Sequence, residues 1–294
     1  MEQLNPNDID KLLGIEAQPV PLSQSLVKKV WDYKAGKYCG ERLNRVDLLK
    51  EFTDEPSEVM KLGNWFEYKC TGMLNRDGST PERLCTQSGK PTAKTKYIET
   101  QAEKFKKLVE KERIDIQSTG DVLTYIDHDL GFRLKGVLDV RAIIHGRMSI
   151  LDIKSSGLIG NEWEEFGWHP GTFNQRDKLT IQVVAYKYLS WKVDGIRDIP
   201  FYFAIHSNTN DVDTAYWEVR LNDFDVAMGH LEDTLAGIAD DIRNDSEYGF
   251  TPYPNVKDCS KCPVEGCVFR AETPEKTIVT IDGIYHNDAD IGDL

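Results

Sequence analysis

Nowhere in the 294 residues does an apolar run approach the roughly eighteen residues that a membrane-crossing helix needs. The opening MEQLNPNDIDKLLGIE also lacks the basic and apolar stretches of a secretory leader. The expectation is a protein that stays inside the cell, in its cytoplasm, with no membrane partner. Positive charge is in short supply too: 36 Lys and Arg stand against 49 Asp and Glu, a net charge of −13. This excludes a surface coated in basic residues for indiscriminate nucleic-acid binding, although not a local basic channel. Cysteine is scarce, and three of the six crowd into CSKCPVEGC. Such a set does not form the framework of a small secreted protein, so ligation of a metal or cluster becomes the better question.

What is there suffices for a sizeable core, with 40% of residues hydrophobic. Residues 1–22 are polar and contain proline, and are expected to form a flexible lead-in. A single domain over 23–270 is expected to follow. It comprises a helical part (23–115), a sheet core (116–220), and a C-terminal helix with the cysteine cluster (221–270), then an acidic tail (271–294). The spacing predicts helices at SQSLVKKVWDYKAG, at PSEVMKLGNWFEYKCTGML and over 95–113, with a long loop between residues 75 and 94. Residues 90–113 hold eight basic side chains against four acids, which reads most simply as the solvated face of a helix.

From Gly120 the pattern turns to strands: GDVLTYID, FRLKGVLDVRAII and RMSILDIKSS. A helix in DKLTIQVVAYKYLSW, two strands in IPFYFAIHS and TAYWEVRL, and a last helix with Asn222 as candidate N-cap complete the chain. The expected fold is mixed α/β, a small, mainly antiparallel sheet flanked by helices.

The hairpin GVLDVRAIIHGRMSILDIKSSG carries Asp139, Asp152 and Lys154 inside an apolar context. If His145 and Gly146 are the central residues of a type I′ turn, paired residue numbers sum to 291 and Asp139 falls opposite Asp152. Facing carboxylates about 5 Å apart repel unless a cation stands between them. Oxygen ligands of this kind suit Mg²⁺ or Mn²⁺. Lys154, two residues from Asp152, projects on the same side, where it can orient or deprotonate a water or offset charge on a phosphate. The alternative is a solvated polar stripe with no chemistry.

GVLD followed by LDIK resembles motifs II and III of the PD-(D/E)XK nucleases, whose core is that of restriction endonucleases. Gln182 and Tyr186 in LTIQVVAYKYL resemble the Q-x3-Y element of the RecB-like branch. KLGNWFEYKCTG resembles the helix in which that branch places a metal-binding His or Glu, here Glu67. A glutamate at this place is more similar to viral and phage exonucleases of the lambda type than to the CRISPR-associated ones. The resemblance implies a DNA exonuclease of end processing and recombination in a bacterial or virus-infected cell. Glu67, Asp139, Asp152 and the Ile153 carbonyl would hold the metal, Lys154 would assist the attacking water, and Gln182 and Tyr186 would position phosphate or lysine. Attack on phosphorus would leave a 5′-phosphate and a 3′-hydroxyl.

The C-x2-C-x4-C triplet Cys259, Cys262 and Cys267 is one thiol short of a complete site. Cys39 resembles the early cysteine of the iron–sulfur RecB-like exonucleases. The resemblance implies a 4Fe-4S cluster closing the start of the domain onto its end, although Gly40 stands where those relatives often have proline. Zinc on the same thiols, or free cysteines, are the other readings. Cys70 and Cys85 read as a buried small residue and a loop thiol.

In the loop after the lysine strand, Trp163, Phe166, Trp168 and Phe173 either stack on unpaired bases or pack on themselves; His169 stands among them. The tail has six acids and one lysine, and reads as a flexible segment, with docking of a recombination or replication partner or of a second copy as the sharper alternative. Two rival readings of the whole chain are a noncatalytic nucleic-acid-binding scaffold with structural zinc, and an endonuclease of the same superfamily.

Overall fold

The computed structural model describes residues 18–271 except 76, 158, 161–167, 169–175 and 208–213, and leaves the side chains of 176–179 and of Val256 undescribed. In chain order the elements are β1 (Val20–Ser23), α1 (Gln24–Lys34), α2 (Glu58–Thr71), α3 (Ala93–Lys111), β2 (Asp115–Asp127), β3 (Phe132–Ile144), β4 (Arg147–Ser156), α4 (Arg176–Asp194), β5 (Phe201–Ser207), β6 (Ala215–Val219) and α5 (Phe224–Tyr248). A helical turn, Gly40–Arg42, runs straight into a π-helical segment, Leu43–Leu48, between α1 and α2.

The six strands form one mixed sheet in the order β1-β3-β4-β5-β6, with β2 along β3. Pairing is antiparallel except for β1 with β3 and β4 with β5. The expected mixed, mainly antiparallel sheet flanked by helices is what the chain forms. Three of the four residues of β1 belong to the segment 1–22 expected to be a flexible lead-in, with Val20 and Leu22 buried beside Phe132 and Leu134. Four residues containing a proline are too few to show alternation, so β1 is specified by the edge of β3 rather than by its own pattern.

Helix starts follow from side-chain caps. Ser23, Ser57 and Thr92 accept from the amides of Leu26, Met60 and Thr95, each satisfying a donor that the first turn leaves unpaired. For α5 the cap is Asp223, one residue after the expected Asn222, and it accepts from Val226 N at 3.1 Å. The basic stretch of α3 forms a solvated face opposite buried Ile98, Ala102, Phe105 and Leu108. Ion pairs such as Lys94 with Glu58 and Lys106 with Glu103 lie on that face.

Each face of the sheet has its own core. One gathers α1, α4 and α5 over Phe132, Leu134, Leu138, Ile150, Phe201, Phe203 and Ile205. The other gathers α2 and α3 over Val140, Ala142, Ile144, Leu151, Ile153, Tyr202 and Ala204. Even-numbered residues of β3 thus pass from the first core to the second between Leu138 and Val140, a switch of face in a strand whose side chains otherwise alternate strictly. The strand is therefore rotated about Asp139. Gly120, which falls opposite Asp139 by the register of β2, takes a left-handed φ of +69° there, as glycine does without penalty.

Candidate active site

The turn between β3 and β4 has His145 at φ +51° and Gly146 at φ +77°, the two left-handed residues that a type I′ hairpin requires. Pairing runs from Ile144 with Arg147 to Val140 with Leu151, the expected register over five pairs. One residue further, at Asp139 and Asp152, the described ladder has ended. Asp139 Oδ2 instead accepts from the backbone N–H of Ile153 at 3.0 Å. A side-chain carboxylate has taken the place of a ladder carbonyl, and the strands diverge.

That edge of β3 is shared in succession: β1 pairs with residues 132–135 and β4 with residues 140–144, while β2 takes the opposite edge. Residues 136–139 face the gap. Asp139 closes one end of it, and α1 leaves the sheet at the other.

Asp152 is wholly buried. Its Oδ1 accepts from Gln182 Nε2 at 2.6 Å, and its Oδ2 is ion-paired with Lys154. The Lys154 side chain keeps 27% of its exposure. Gln182 and Tyr186, one turn apart on α4, face the same place, as the i, i+4 spacing dictates. Tyr186 comes close because Gly136 has no side chain: a Cβ there would lie 2.7 Å from Leu189 Cδ1 and 2.9 Å from Tyr186 Cε1. Gly136→Ala is expected to push α4 off β3, destabilising the fold by about 1–3 kcal/mol and weakening the Gln182 to Asp152 bond. A urea titration with an unchanged midpoint would contradict this.

The electrostatics are those of crowded carboxylates. Burial first, then the charge of Asp139, pushes Asp152 up to about 7 against the opposing pull of Lys154 and Lys28. Burial, then Asp139, raises Glu67 of α2 to about 8; Lys154 opposes and Asp152 adds. Tyr186 is raised by burial and then by both aspartates. Burial works against the Lys154 ammonium, but Asp152 and Asp139 outweigh it and hold Lys154 above the ordinary lysine range. The six expected residues Glu67, Asp139, Asp152, Lys154, Gln182 and Tyr186 thus share one electrostatic neighbourhood. Lys28 of α1 belongs to it as well. The sequence marks Lys28 only as part of the polar face in SLVKKV.

Among the described residues no three His, Cys, Asp or Glu side chains stand grouped as a finished ligand set. The donor chemistry at the hairpin nevertheless fits a hard dication: carboxylate oxygens from Asp139, Asp152 and Glu67, with Asp152 and Glu67 raised by burial and then by the charge of Asp139. Asp139 and Asp152 are occupied by Ile153 N–H, Gln182 and Lys154, so an ion would enter by rearranging those bonds.

Of the described residues Cys39, Cys259, Cys262 and Cys267, no three stand grouped to hold an ion. Gly40, next to Cys39, donates to Thr251 O at 3.1 Å, and a Cβ at Gly40 would lie 2.3 Å from that oxygen. A proline there would lack the donor and collide. The start of the domain is thereby tied to the segment that leads into the triplet. Ala271 N–H donates to Cys259 Sγ at 3.4 Å, and Arg270 clasps the carbonyls of Cys262 and Val264. All four thiols are free cysteines, as are Cys70 and Cys85. Cys70 is half-buried, its thiol pushed up by burial and by Glu67; Cys85 is exposed.

Of the loop aromatics, Trp168 is a core residue packed on Phe203 and Trp217 at 5.4 and 5.5 Å between centroids, not a base-stacking platform. Trp163, Phe166, His169 and Phe173, and the tail from 272 onward, lie outside the described residues. His206, not singled out by the sequence, is buried between Phe66 and Phe105 and bonded to Thr214. Burial, with Lys104 adding, lowers it to about 4, which marks a neutral core histidine.

No family model matches the chain, and no curated protein matches it. Among solved structures, a protein of Eubacterium rectale described as a "putative exonuclease" superimposes with a TM-score of 0.56 at 20% identity, covering 82% of this chain and 88% of that one. This likeness establishes a shared fold. The solved structure of SSO0001 covers 90% of this chain and 95% of its own at 12% identity, with a TM-score of 0.36. Among the described residues no helix is long and apolar enough to cross a membrane.

Proposed function

We propose that this chain is a metal-dependent deoxyribonuclease that shortens DNA from its ends, in recombination, replication or viral DNA metabolism. The observation that carries the reading is the pair Asp139 and Asp152, set where the β3–β4 ladder opens, with Asp152 fully buried and Lys154 beside it. The fold shared with the E. rectale protein, and the exonuclease named for that protein, agree with it.

Asp139, Asp152, Glu67 and the Ile153 carbonyl are the groups that would hold Mg²⁺ or Mn²⁺. Bound there, the ion would supply Lewis-acid polarisation of the phosphoryl group and a more acidic water. Lys154, kept protonated by two aspartates, offsets charge that develops on the phosphoryl oxygens; in this state it is a cationic hydrogen-bond donor rather than a base. Gln182 fixes the Asp152 carboxylate by donating to Oδ1, and Tyr186 packs behind it against Gly136. The test is end-labelled linear DNA beside closed circular single strands, with Mn²⁺, Mg²⁺ or EDTA. Metal-dependent shortening of the linear DNA with the circle intact is expected. No cleavage with either ion overturns the reading, and a cut circle makes the protein an endonuclease.

Cys39, Cys259, Cys262 and Cys267 are proposed as ligands of a 4Fe-4S cluster. The Gly40–Thr251 tie and the N–H donated to Cys259 sulfur support a ligand loop at this end of the domain. Protein purified without oxygen is expected to be brown, with about four irons per chain, and Cys262→Ser to lose both colour and iron. A colourless protein holding zinc would overturn the cluster and leave the nuclease reading intact.

A further inference from the structure

A cavity of about 460 Å³ opens beside the start of α1. Lys29, Lys50, Arg133 and Lys135 line it, with Thr124 as a neutral donor and Asp47 as its one acid. Both oxygens of Asp47 are engaged: Lys29 pairs with Oδ1 and Tyr38 donates its hydroxyl to Oδ2 at 2.7 Å, so Lys29 and Asp47 offset each other and Lys50, Arg133 and Lys135 carry the net positive charge of the lining. Arg133 and Lys135 sit two apart on one face of β3, and both are exposed. In a chain of net charge −13, four cations about one cavity need an explanation other than general composition.

The lining ends, on β3, at Lys135, on the β1 side of the gap that leads to the hairpin. Lys135 is the last residue of β3 to pair with β1, through Ser23; the stretch 136–139, which pairs with neither β1 nor β4 on that edge, follows and ends on Asp139. Four residues of strand span roughly 13 Å. Helix α1 spans the same interval: Lys29 lines the cavity, and Lys28 acts on Asp152.

We propose that this groove binds the phosphate backbone of a nucleic-acid strand whose scissile bond lies at Asp139 and Asp152. The proposal rests on the nuclease reading for the direction of the strand, and on the groove alone for binding. Lys50, Arg133 and Lys135 meet successive phosphates, and Thr124 adds a neutral hydrogen bond. Contacts of this type position a strand without reading its sequence. The groove accounts for how so acidic a protein would hold a polyanion: the basic charge is gathered at one approach to the site.

The test measures binding of a labelled short oligodeoxynucleotide in EDTA across a range of salt. It compares wild type, Arg133→Gln/Lys135→Gln, Lys50→Asn, and a control, Lys106→Gln/Lys107→Gln on α3. In parallel, each protein hydrolyses bis(4-nitrophenyl) phosphate with Mn²⁺, a substrate too small to reach the groove from the hairpin. The double groove variant is expected to bind at least about tenfold more weakly and to flatten the slope of log K against log salt by roughly 1.4, about 0.7 for each phosphate no longer neutralised. Lys50→Asn is expected to flatten the slope by about half as much, with the slope of the control and all small-substrate rates at the wild-type level. Groove variants that bind like wild type overturn the proposal, and so does an equal loss in the control. Displacement of the oligonucleotide by inorganic phosphate at matched ionic strength and matched phosphate concentration also overturns it, since the site would then hold single anions. If wild type binds with a groove-dependent slope yet hydrolyses nothing, the groove stands and the nuclease reading falls.

Discussion

Asp152→Asn is expected to lower metal-dependent DNA cleavage by roughly a thousandfold or more while leaving the protein folded. Asparagine keeps the shape of the side chain, and its carbonyl oxygen can accept the bond that Gln182 Nε2 now donates to Asp152 Oδ1. The charge is what disappears. Lys154 loses its ion-pair partner, but Asp139 still favours its charge and its side chain is partly exposed. The cost to folding is therefore small, because the buried carboxylate being removed was itself desolvated. Gln182→Ala is expected to act through Asp152 and to cost less, about ten- to a hundredfold, as for a group that orients a ligand rather than serving as one. Single-turnover rates with Mn²⁺, measured beside thermal melting, separate these effects. Asp152→Asn at wild-type rate would remove the hairpin from the chemistry altogether.

The hairpin is readable because its information is local. A two-residue turn fixes the register, so counting outward from His145 and Gly146 puts Val140 opposite Leu151, as found. The same counting places Asp139 opposite Asp152 as a ladder pair. There the structure departs from it, since Asp139 takes the Ile153 amide and the strands separate. No local pattern encodes that opening. It arises because β1 and β4 occupy one edge of β3 in turn, with β1 arriving from residues 20–23. A four-residue edge strand carries no periodicity of its own, which is why its sequence reads as a lead-in.

Contacts across long separations are hidden for the same reason. Gly136 reads as one more strand residue until Tyr186 and Leu189 are laid on it. Gly40 reads as a departure from a cysteine motif until Thr251 is set against it. Trp168 offers aromatic character without saying which side of the loop it will occupy; Phe203 and Trp217 decide that. The identities of Glu67, Asp139, Asp152, Lys154, Gln182 and Tyr186 are legible as motif residues. Their crowding, which raises Glu67 and Asp152, comes from the fold.

That crowding makes the metal-free protein expected to lose stability as pH rises, and Mg²⁺ or Mn²⁺ expected to restore it. Glu67 and Asp152 have folded pKa values near 8 and 7, raised above the ordinary carboxylate range by burial and then by Asp139. Between about pH 4 and pH 8 the unfolded chain has given up these protons while the folded chain still holds them. The unfolded state therefore binds fewer protons in that window, and the stability contributed by these groups falls with pH. It is fully present below the unfolded pKa and is lost as pH passes through 7 and 8.

A dication reverses the sign at the high end, because it binds the deprotonated carboxylates and competes with protons at low pH. Melting midpoints in EDTA should therefore fall from pH 5 and level off above about pH 8. Saturating Mn²⁺ should raise the midpoint strongly at pH 8 and hardly at pH 5. Asp152→Asn should flatten the EDTA profile and remove most of the Mn²⁺ response at once, since the same charge underlies both. A wild-type profile in EDTA that rises toward pH 8, or an Mn²⁺ effect of equal size at both ends, would mean that the carboxylates at the open end of the hairpin are not the ion's ligands.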